Sequence, residues 1–558
     1  MKFDDIITEL GEFGPYQKKI YYMVCLVAIP VAIQILMGVF TLAIPEHRCA
    51  VPGLTNDTYK SQGQWHDLLV KQVIPWSNET NTYSKCLLYK SEDGLDLYRN
   101  ETTSCDKWVY NKEIFQSTFI TETNLVCDYV QLRTYANMIL MGGLLCGSII
   151  LGPLSDMIGR KKVIIIGIAG HFSCSLATAF VKTYVPFVIL RFFTVFFGVG
   201  MFLPAFVIGV ELVGPRKRTI TGIVIEIFWV FGMFIQAGVA YGLRNWSHLQ
   251  MALSAPTVLL LVFIFVLPES PRWLINKGRY EEATKVIQRV AQGNGVTLRE
   301  KTLDLQEVEL EGHGEKVWHM FTIPKLLIRC LIIFFNWLVA SMVYYGLNLN
   351  VGSLYGDIYL NFFLLGVVEL ISYIFCLLLL DVVGRKPLQC ASMLVGGVAC
   401  ICTLFPVIFN GPEWVTLVLS LLGKFGASAA FAIIYIYSAE LFPTVMRNSG
   451  MGLSSFTARI GGILAPYIVD IGNIIDGHLA VALPLIIFGS ISIAAGLLAL
   501  LLPETAYKTL PDSIEDAKNF GRDSAKAKNS YTLNAISPDK SLDVVDGTSN
   551  PSFNLSIQ

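Results

Sequence analysis

The chain has 558 residues, of which 53% are apolar and only 15% are charged. Soluble domains carry roughly 25% charged residues, so a soluble fold could not cover this much apolar surface. Disorder requires low hydrophobicity and high charge, and is excluded as well. The 42 basic and 43 acidic residues give a net charge of −1, which gives no reason to expect a nucleic-acid partner. The composition therefore indicates a protein that crosses a lipid bilayer several times.

Apolar runs long enough to span a membrane recur along the chain. A helix needs about 20 residues to cross the ~30 Å hydrocarbon core. Runs of this length, bounded by charges, proline or glycine, predict twelve transmembrane helices. The predicted spans are 21–44, 132–154, 163–182, 186–208, 219–242, 248–267, 326–347, 358–380, 387–409, 414–438, 449–471 and 480–502. An even number of spans places both termini on the same side.

Basic residues in the short loops set the predicted orientation, because cytoplasmic loops are enriched in Lys and Arg. One set of short loops carries Arg160, Lys161, Lys162, Arg216, Lys217, Arg218, Arg385, Lys386 and Arg447. The short loops on the opposite side carry only Lys182 and Arg244. We therefore expect both termini in the cytoplasm, with the protein in the plasma membrane.

The polar segments between the spans suggest how the chain is divided. The predicted segments are a cytoplasmic N-terminus at 1–20, a first six-helix half at 21–267 with an extracellular loop at 45–131, a cytoplasmic loop at 268–325, a second half at 326–505 and a cytoplasmic tail at 506–558. The loop at 268–325 contains one predicted amphipathic helix, 279–292. The tail has too few apolar residues to bury a core, so we expect it to be disordered.

The long extracellular loop contains both cysteines and glycosylation acceptors. Its four cysteines are Cys49, Cys86, Cys105 and Cys127. In an oxidising compartment four cysteines imply two disulfides, with three pairings open. The N-x-[ST] acceptors in the same loop are Asn56, Asn78 and Asn100. The cysteines, the acceptors and the charge bias agree on an extracellular location.

Three charged motifs repeat in the same order along the chain, at the predicted cytoplasmic ends of equivalent spans. In the first half they contain Asp156, Arg160, Glu211, Arg218, Glu269 and Arg272; in the second half they contain Asp381, Arg385, Glu440, Arg447 and Glu504. The repeat predicts two six-helix halves of parallel topology, with a substrate site between them near the midplane. We expect the charges to form ion pairs that gate the cytoplasmic side. The alternative is a topogenic ring of solvated charges, because exposed pairs contribute only about 0–1 kcal/mol.

The motifs also resemble a known family. Gly-Pro-Leu-Ser-Asp-Met-Ile-Gly-Arg-Lys-Lys at 152–162 resembles the signature loop of the major facilitator superfamily. The runs at 268–274, 437–447 and 510–516 resemble the organic cation, anion and zwitterion transporter family within it. The resemblance covers residue 1 to about 520. It implies an all-α polytopic fold of twelve transmembrane helices that works by alternating access. Many members have six cysteines in the first outer loop, so the four here leave their pairing open.

The sequence carries no motif for ATP use, a metal or an enzymatic nucleophile. Leu-Gly-Lys-Phe at 422–425 lacks the leading glycine and the Ser or Thr of a phosphate-binding loop. Cys400 and Cys402 lack zinc-ligand spacing. We therefore expect neither a cofactor nor an enzymatic activity. Uniport, exchange and coupling to Na⁺ or H⁺ all fit the sequence.

Ionisable residues inside the spans are the candidates for substrate binding, because a charge at the centre of a span costs about 2.5–3.5 kcal/mol on insertion scales. The candidates are Glu226, Glu369, Lys424 and Arg459, and Arg191 is assigned a structural role by resemblance. Glu226 fits either the cavity or the inner gate. The seventh span adds Trp337, Tyr344 and Tyr345 on one face, and such rings attract ammonium groups. Ordinary helix packing is the alternative for these rings.

The charges also suggest what is carried. By this resemblance, cation carriers of the family have an acidic residue at the position that matches Glu369. Its anion and carnitine carriers have an arginine at the position that matches Arg459. We therefore expect a small organic cation or zwitterion, such as a carnitine-like betaine, a β-amino acid or an aminoacyl amine. The alternative is that Arg459 and Glu369 neutralise each other in the empty carrier. An organic anion transporter, and a transport-inactive receptor or scaffold on the same fold, fit the sequence as well.

Overall fold

A computed structural model describes residues 3–77, 82–92, 96–214, 217–298, 322–354, 356–409, 411–443, 447–474, 479–506, 508, 511 and 514–520. Helices form at all twelve predicted positions. Those of the first half are Pro15–Cys25 with Ala28–Leu36 and Gly38–Thr41, then Gln131–Ile158, Arg160–Thr178, Tyr184–Glu211, Arg218–Gly242, and Trp246–Ser254 continued by a 3-10 helix and Phe263–Val266. Those of the second half are Pro324–Leu349, Ile358–Val383, Arg385–Cys402 with Leu404–Ile408, Glu413–Leu441, Arg447–Ile474 and Leu479–Ala499. We number these spans one to twelve.

Ten helical segments in the described chain are long and apolar enough to cross a membrane. The third and eleventh spans, Arg160–Thr178 and Arg447–Ile474, are helical but are not among these ten. The third begins Arg-Lys-Lys and contains a histidine, and the eleventh is rich in Ser, Gly and other polar residues. These residues lower the mean hydropathy of both helices. The structure thus confirms ten of the predicted spans by length and composition and the remaining two as helices.

Two pairs of spans make the most extensive contacts between the halves: the second packs on the eleventh, and the fifth packs on the eighth. Gly366 permits the second of these contacts, since a Cβ there would meet the Phe234 ring at 2.9 Å. We call the end of the bundle that carries the 45–131 loop the loop end. The opposite end, which carries the repeated charged motifs, is the motif end.

The loop at the loop end is a small folded unit. Its strands form three antiparallel pairs: His47–Cys49 with Trp108–Tyr110, Trp76–Ser77 with Thr82–Tyr83, and Leu87–Glu92 with Asp96–Ser104. Helices Gln64–Val73 and Phe119–Thr123 complete it. Cys49 pairs with Cys105 and Cys86 pairs with Cys127, with Cα–Cα distances of 5.8 and 5.7 Å. This pairing is one of the three that the sequence leaves open.

A buried charged cluster stabilises the same loop. Arg48 donates to both Asp57 carboxylate oxygens, at 3.0 and 2.6 Å, and His66 Nε2 lies 2.9 Å from Asp57 Oδ1. Burial raises the pKa of Asp57, but hydrogen bonds from Arg48, the Val51 amide and His66 outweigh it and hold the pKa below its usual value. Because the folded-state pKa is depressed, this stabilisation is present at neutral pH and is lost as the pH falls through that pKa.

Three glycosylation predictions stay untested. Asn56 is exposed. Asn78 lies outside the described residues, and so does the side chain of Asn100, which belongs to the strand Asp96–Ser104. The disorder predicted for the tail falls largely on 521–558, which also lies outside the described residues.

The motif end carries a second small core outside the spans. The predicted amphipathic helix forms at Tyr280–Asn294. It packs with Phe3–Glu9 and Pro271–Asn276 around Ile6, Trp273 and Ile287. This core attaches the N-terminal segment to the segment that follows the sixth span.

The disulfide pairing makes a direct prediction. Peptide mapping of the unreduced protein should recover one peptide pair containing Cys49 and Cys105 and another containing Cys86 and Cys127. Each bond closes a loop of some 40 to 60 residues, so its removal should cost about 4 kcal/mol of unfolding free energy in the chain-entropy model. Recovery of peptides that link Cys49 to Cys86 or to Cys127 would contradict the loop fold.

Candidate functional site

A cavity with about 550 Å³ of empty space, part of it open to solvent, lies between the two halves of the bundle. Spans one, two, four and five line it from the first half, and spans seven, eight, ten and eleven line it from the second. The lining residues are Val31, Ile35, Leu144, Val199, Phe202, Leu203, Glu226, Trp229, Tyr344, Tyr345, Tyr373, Phe431, Tyr435 and Arg459. A site at the interface between two repeats is where transporters of this architecture bind their substrates.

Two opposite charges reach this cavity from opposite halves. Glu226 enters from the fifth span and Arg459 from the eleventh. Within the described chain no ion pair joins them, although Tyr345 and Tyr435 lie within electrostatic range of both. Of the two locations that the sequence left open for Glu226, the cavity and the inner gate, its side chain lies at the cavity. The same cavity is thus lined by one acidic and one basic side chain, Glu226 and Arg459.

Aromatic rings form most of the remaining wall. The Tyr344 ring stacks on Phe431 with centroids 5.5 Å apart, and Trp229 Nε1 donates to the Tyr344 hydroxyl at 2.9 Å. Trp337 does not line the cavity. It is fully buried behind Tyr435, at 4.2 Å between ring centroids, and its indole N–H donates to Ser438 at 2.8 Å. The seventh-span face therefore contributes two rings to the cavity and one to the packing behind it.

Glu369 and Lys424 form a fully buried ion pair behind the Tyr344 ring. Lys424 Nζ lies 2.7 Å from Glu369 Oε2, and both side chains are 0% exposed. The other carboxylate oxygen accepts hydrogen bonds from Tyr344 at 2.7 Å and from Tyr373 at 2.8 Å. Nζ also sits over the Tyr344 ring, 3.5 Å from its centroid. Neither Glu369 nor Lys424 lines the cavity in this structure.

The hypothesis that Arg459 neutralises Glu369 is wrong for this structure, since Lys424 is the partner of Glu369. Spans eight and ten pack directly on each other, so Glu369 and Lys424 meet at their shared face. Arg459 belongs to the eleventh span and faces the cavity instead. Arg191 is buried in the first half, where it donates to Asn137 Oδ1 at 3.3 Å.

The repeated charges at the motif end form one cluster in each half. In the first, Arg160 pairs with Asp156 and with Glu211, both at 3.2 Å, and Ser270 donates to Glu211. Glu269 accepts the backbone N–H groups of Arg160 and Lys161, at 3.0 and 3.2 Å. These amides begin the third span, where a carboxylate also complements the helix dipole.

The second half repeats this arrangement residue by residue. Arg385 pairs with Asp381 at 3.1 Å and with Glu440 at 2.9 Å, while Thr505 donates to Glu440 at 2.6 Å. The remaining carboxylate, on Glu504, accepts the N–H groups of Arg385 and Lys386, both at 3.1 Å. The sequence repeat therefore corresponds to a repeat of interactions.

Each of these ion pairs joins helices of the same half. Among the other predicted gate residues, Arg272 lies within electrostatic range of Glu211, again in one half. Arg447 begins the eleventh span, and the side chain of Arg218 lies outside the described residues. The clusters thus fix the helix ends within each half, and their predicted gating role stays a prediction.

An ion pair that joins the two halves is found instead at the loop end. Arg133 pairs with Asp470 at 3.6 Å, and Thr134 donates to the same carboxylate. Arg133 and Thr134 lie in the first turn of the second span, and Asp470 lies in the last turns of the eleventh. Tyr359 adds a second link, because its hydroxyl donates to the Ile114 carbonyl at 2.9 Å. We call the contacts of Arg133 and Thr134 with Asp470 the loop-end latch. No repeated motif marks these residues, so the latch was not predicted from the sequence.

The chain is similar to proteins of established families. The family model "Sugar (and other) transporter" matches residues 95–515. The organic cation transporter protein of Drosophila melanogaster is 37% identical over 94% of this chain and 95% of its own. The human organic cation/carnitine transporter 2 is 34% identical, covering 92% and 93%. Among solved structures, the Escherichia coli xylose transporter XylE in a partially occluded inward-open conformation is 16% identical, with a TM-score of 0.59 over 89% of this chain and 100% of its own.

The loop-end latch can be tested by measuring a distance between the halves. Spin labels at the exposed positions Tyr129→Cys and Leu360→Cys report on opposite halves of the loop end. The partly exposed free cysteines to be replaced by serine are Cys146, Cys174 and Cys402. Asp470→Asn removes a pair that contributes about 1 kcal/mol, which is about a fivefold change in the ratio of two states. We expect longer interlabel distances to gain population.

Arg133→Lys is the matched control, because it keeps the charge opposite Asp470. Its distance distribution should stay close to that of the unaltered chain. The latch would be refuted if Asp470→Asn left the distribution unchanged.

Proposed function

Because the chain belongs to the organic cation, anion and zwitterion transporter family of the major facilitator superfamily, and is thus a membrane transporter rather than an enzyme, we propose that it carries small organic zwitterions by alternating access. The observation that carries the proposal is the separation of Glu226 and Arg459 around one cavity, with no ion pair between them among the described residues. A molecule that bears both an ammonium and a carboxylate would neutralise both residues.

Arg459 supports the carboxylate end of this proposal. A guanidinium presents its donors in a planar fork that matches two carboxylate oxygens. Neighbouring Tyr345 adds a hydroxyl on the same wall. A cation without a carboxylate would leave the Arg459 charge without an anionic partner from the substrate.

Glu226 and the rings support the ammonium end. The aromatic wall contains Trp229, Tyr344 and Phe431, and each ring can attract an ammonium by about 0.5–2 kcal/mol. A quaternary ammonium suits such rings because its charge is spread over methyl groups that need no hydrogen bonds. A carnitine-like betaine is therefore the zwitterion that we favour, and one relative is named for carnitine.

The topology supports an inward-facing state of a plasma-membrane carrier. We place the loop end outside the cell, because its disulfides require an oxidising compartment and its short loops are poor in Lys and Arg. The latch of Arg133, Thr134 and Asp470 then closes the outer side. Glu226 is eight residues from the helix start at Arg218, about 12 Å along the axis, so the cavity lies toward the cytoplasmic side. Both termini are cytoplasmic in this proposal.

The substrate proposal predicts opposite selectivity for two substitutions. Arg459→Gln should lower kcat/KM for carnitine by about 10- to 100-fold, the worth of a charge-assisted contact, and should spare choline, which has no carboxylate. Glu226→Gln should lower carnitine uptake similarly and should spare 3-hydroxybutyrate, which has no ammonium. Radiolabelled uptake in oocytes, normalised to surface protein, measures both.

Equal loss of carnitine and choline in Arg459→Gln would make Arg459 structural and overturn the zwitterion proposal. Transport of choline but not carnitine by the unaltered chain would identify a cation carrier. Transport of 3-hydroxybutyrate alone would identify an anion carrier.

The motif-end cluster makes a separate prediction about transport. Glu211→Gln removes the carboxylate at the end of the fourth span that both Arg160 and Ser270 contact, so the start of the third span and the segment after the sixth span lose their common partner. Uptake should fall by about tenfold, equivalent to ~1.4 kcal/mol, at unchanged surface density. Glu281→Gln, on an exposed position of Tyr280–Asn294, is the control and should transport normally. Normal uptake in Glu211→Gln would leave only the topogenic role for these charges.

A further inference from the structure

The ammonium group of Lys424 occupies a site with the parts of an ammonium-binding pocket. A carboxylate, Glu369, lies 2.7 Å away, and an aromatic face, Tyr344, lies 3.5 Å away. Tyr373 and Tyr344 hold the carboxylate in place through hydrogen bonds to its other oxygen. Carboxylate plus ring face is the combination that proteins use for ligand ammonium groups. Here the ammonium belongs to the chain itself.

The remaining contacts of Lys424 are sparse. A lysine ammonium has three donors, yet beyond the ion pair Nζ has no hydrogen-bond partner in the described chain. Glu369 Oε2 likewise has no other partner there. A fully buried ion pair is weak evidence for stability, because apolar residues of similar volume often serve as well. Its presence behind a substrate cavity therefore calls for a functional reason.

The Tyr344 side chain connects this pocket to the cavity. Its ring lines the cavity, while its hydroxyl donates to Glu369 and accepts from Trp229 of the other half. Tyr373 lines the cavity as well and also donates to Glu369. The carboxylate of Glu369 is thus one side chain away from the space in which a substrate would lie.

We propose that Lys424 is a tethered cation that fills an ammonium site formed by Glu369, Tyr344 and Tyr373. It thereby determines specificity: a substrate ammonium cannot use Glu369 and is directed to Glu226. The proposal rests on the proposed function only for the identity of the substrate that is redirected. It assigns Glu369 and Lys424 to selectivity rather than to direct contact with the substrate.

Removal of the tethered ammonium should create a site for a free one. In Lys424→Met the carboxylate of Glu369 lacks its counter-charge, and methylammonium has the same head group as the missing side chain. Methylammonium should raise the Tm of purified Lys424→Met in a concentration-dependent way, since a ligand that binds the folded state stabilises it. Its half-maximal concentration should be at least about tenfold lower than for the unaltered chain.

The matched control is the double variant Lys424→Met with Glu369→Gln, which removes both charges and should fold without a buried unpaired carboxylate. Methylammonium should not stabilise it beyond the effect of an equal concentration of sodium chloride. A similar methylammonium shift in the double variant and in Lys424→Met would overturn the proposal. So would the absence of any shift in a folded Lys424→Met.

Folding of the single variant is itself informative. If Lys424→Met is poorly recovered, methylammonium added during expression and purification should restore its yield, and the same should hold for Lys424→Ala. Failure of methylammonium to rescue either variant would contradict a refillable site. These measurements need no transport, so they stay separate from carnitine uptake by the unaltered chain, whose absence would refute the proposed function alone.

Discussion

A charge inside the bilayer must be compensated within the protein, and this constraint organises the structure. Glu369 is compensated by Lys424 and two tyrosine hydroxyls. The motif-end carboxylates are compensated by arginines and by backbone amides at the starts of helices. Glu226 and Arg459 differ, because they line one cavity from opposite halves and form no ion pair with each other in the described chain. The transport proposal follows from this difference, since a substrate can supply the missing countercharges.

The two motif-end clusters hold the helix ends of each half together. In each one, a single arginine ties the end of one span to the start of another, and a glutamate accepts the first amides of the third or ninth span. These contacts stay within a half, whereas the latch at Asp470 crosses between halves. Alternating access needs this combination of internally rigid halves and a breakable contact between them.

Much of the architecture could be predicted from the sequence, because it depends on composition and spacing. Apolar length indicated the spans, and repeated motifs indicated the two halves whose clusters the structure shows. The partner of Glu369 could not be predicted, because it depends on how spans eight, ten and eleven are rotated about their axes. The cross-half latch was missed for a similar reason. Arg133 and Asp470 are far apart in sequence and resemble ordinary charges at span ends.

The disulfide pairing also could not be predicted, because it depends on contacts between residues that are far apart in sequence. Four cysteines in one loop predicted two bonds. In the folded loop, with its three strand pairs, Cys49 bonds to Cys105 and Cys86 bonds to Cys127. The cavity between the halves is a further example. Glu226 was a candidate from its depth in the fifth span, yet its position opposite Arg459 follows from how the two halves pack.

In the proposed mode of binding, a zwitterion lies between Glu226 and Arg459 while Lys424 keeps Glu369 occupied. The most direct test of this mode of binding is an electron cryomicroscopy structure of the full chain in lipid nanodiscs with carnitine bound. We expect carnitine density in the cavity, with its carboxylate at Arg459, its ammonium at Glu226 and the Lys424–Glu369 pair intact. Carnitine with its ammonium at Glu369 and a displaced Lys424 would refute this mode of binding, as would an empty cavity with carnitine bound elsewhere.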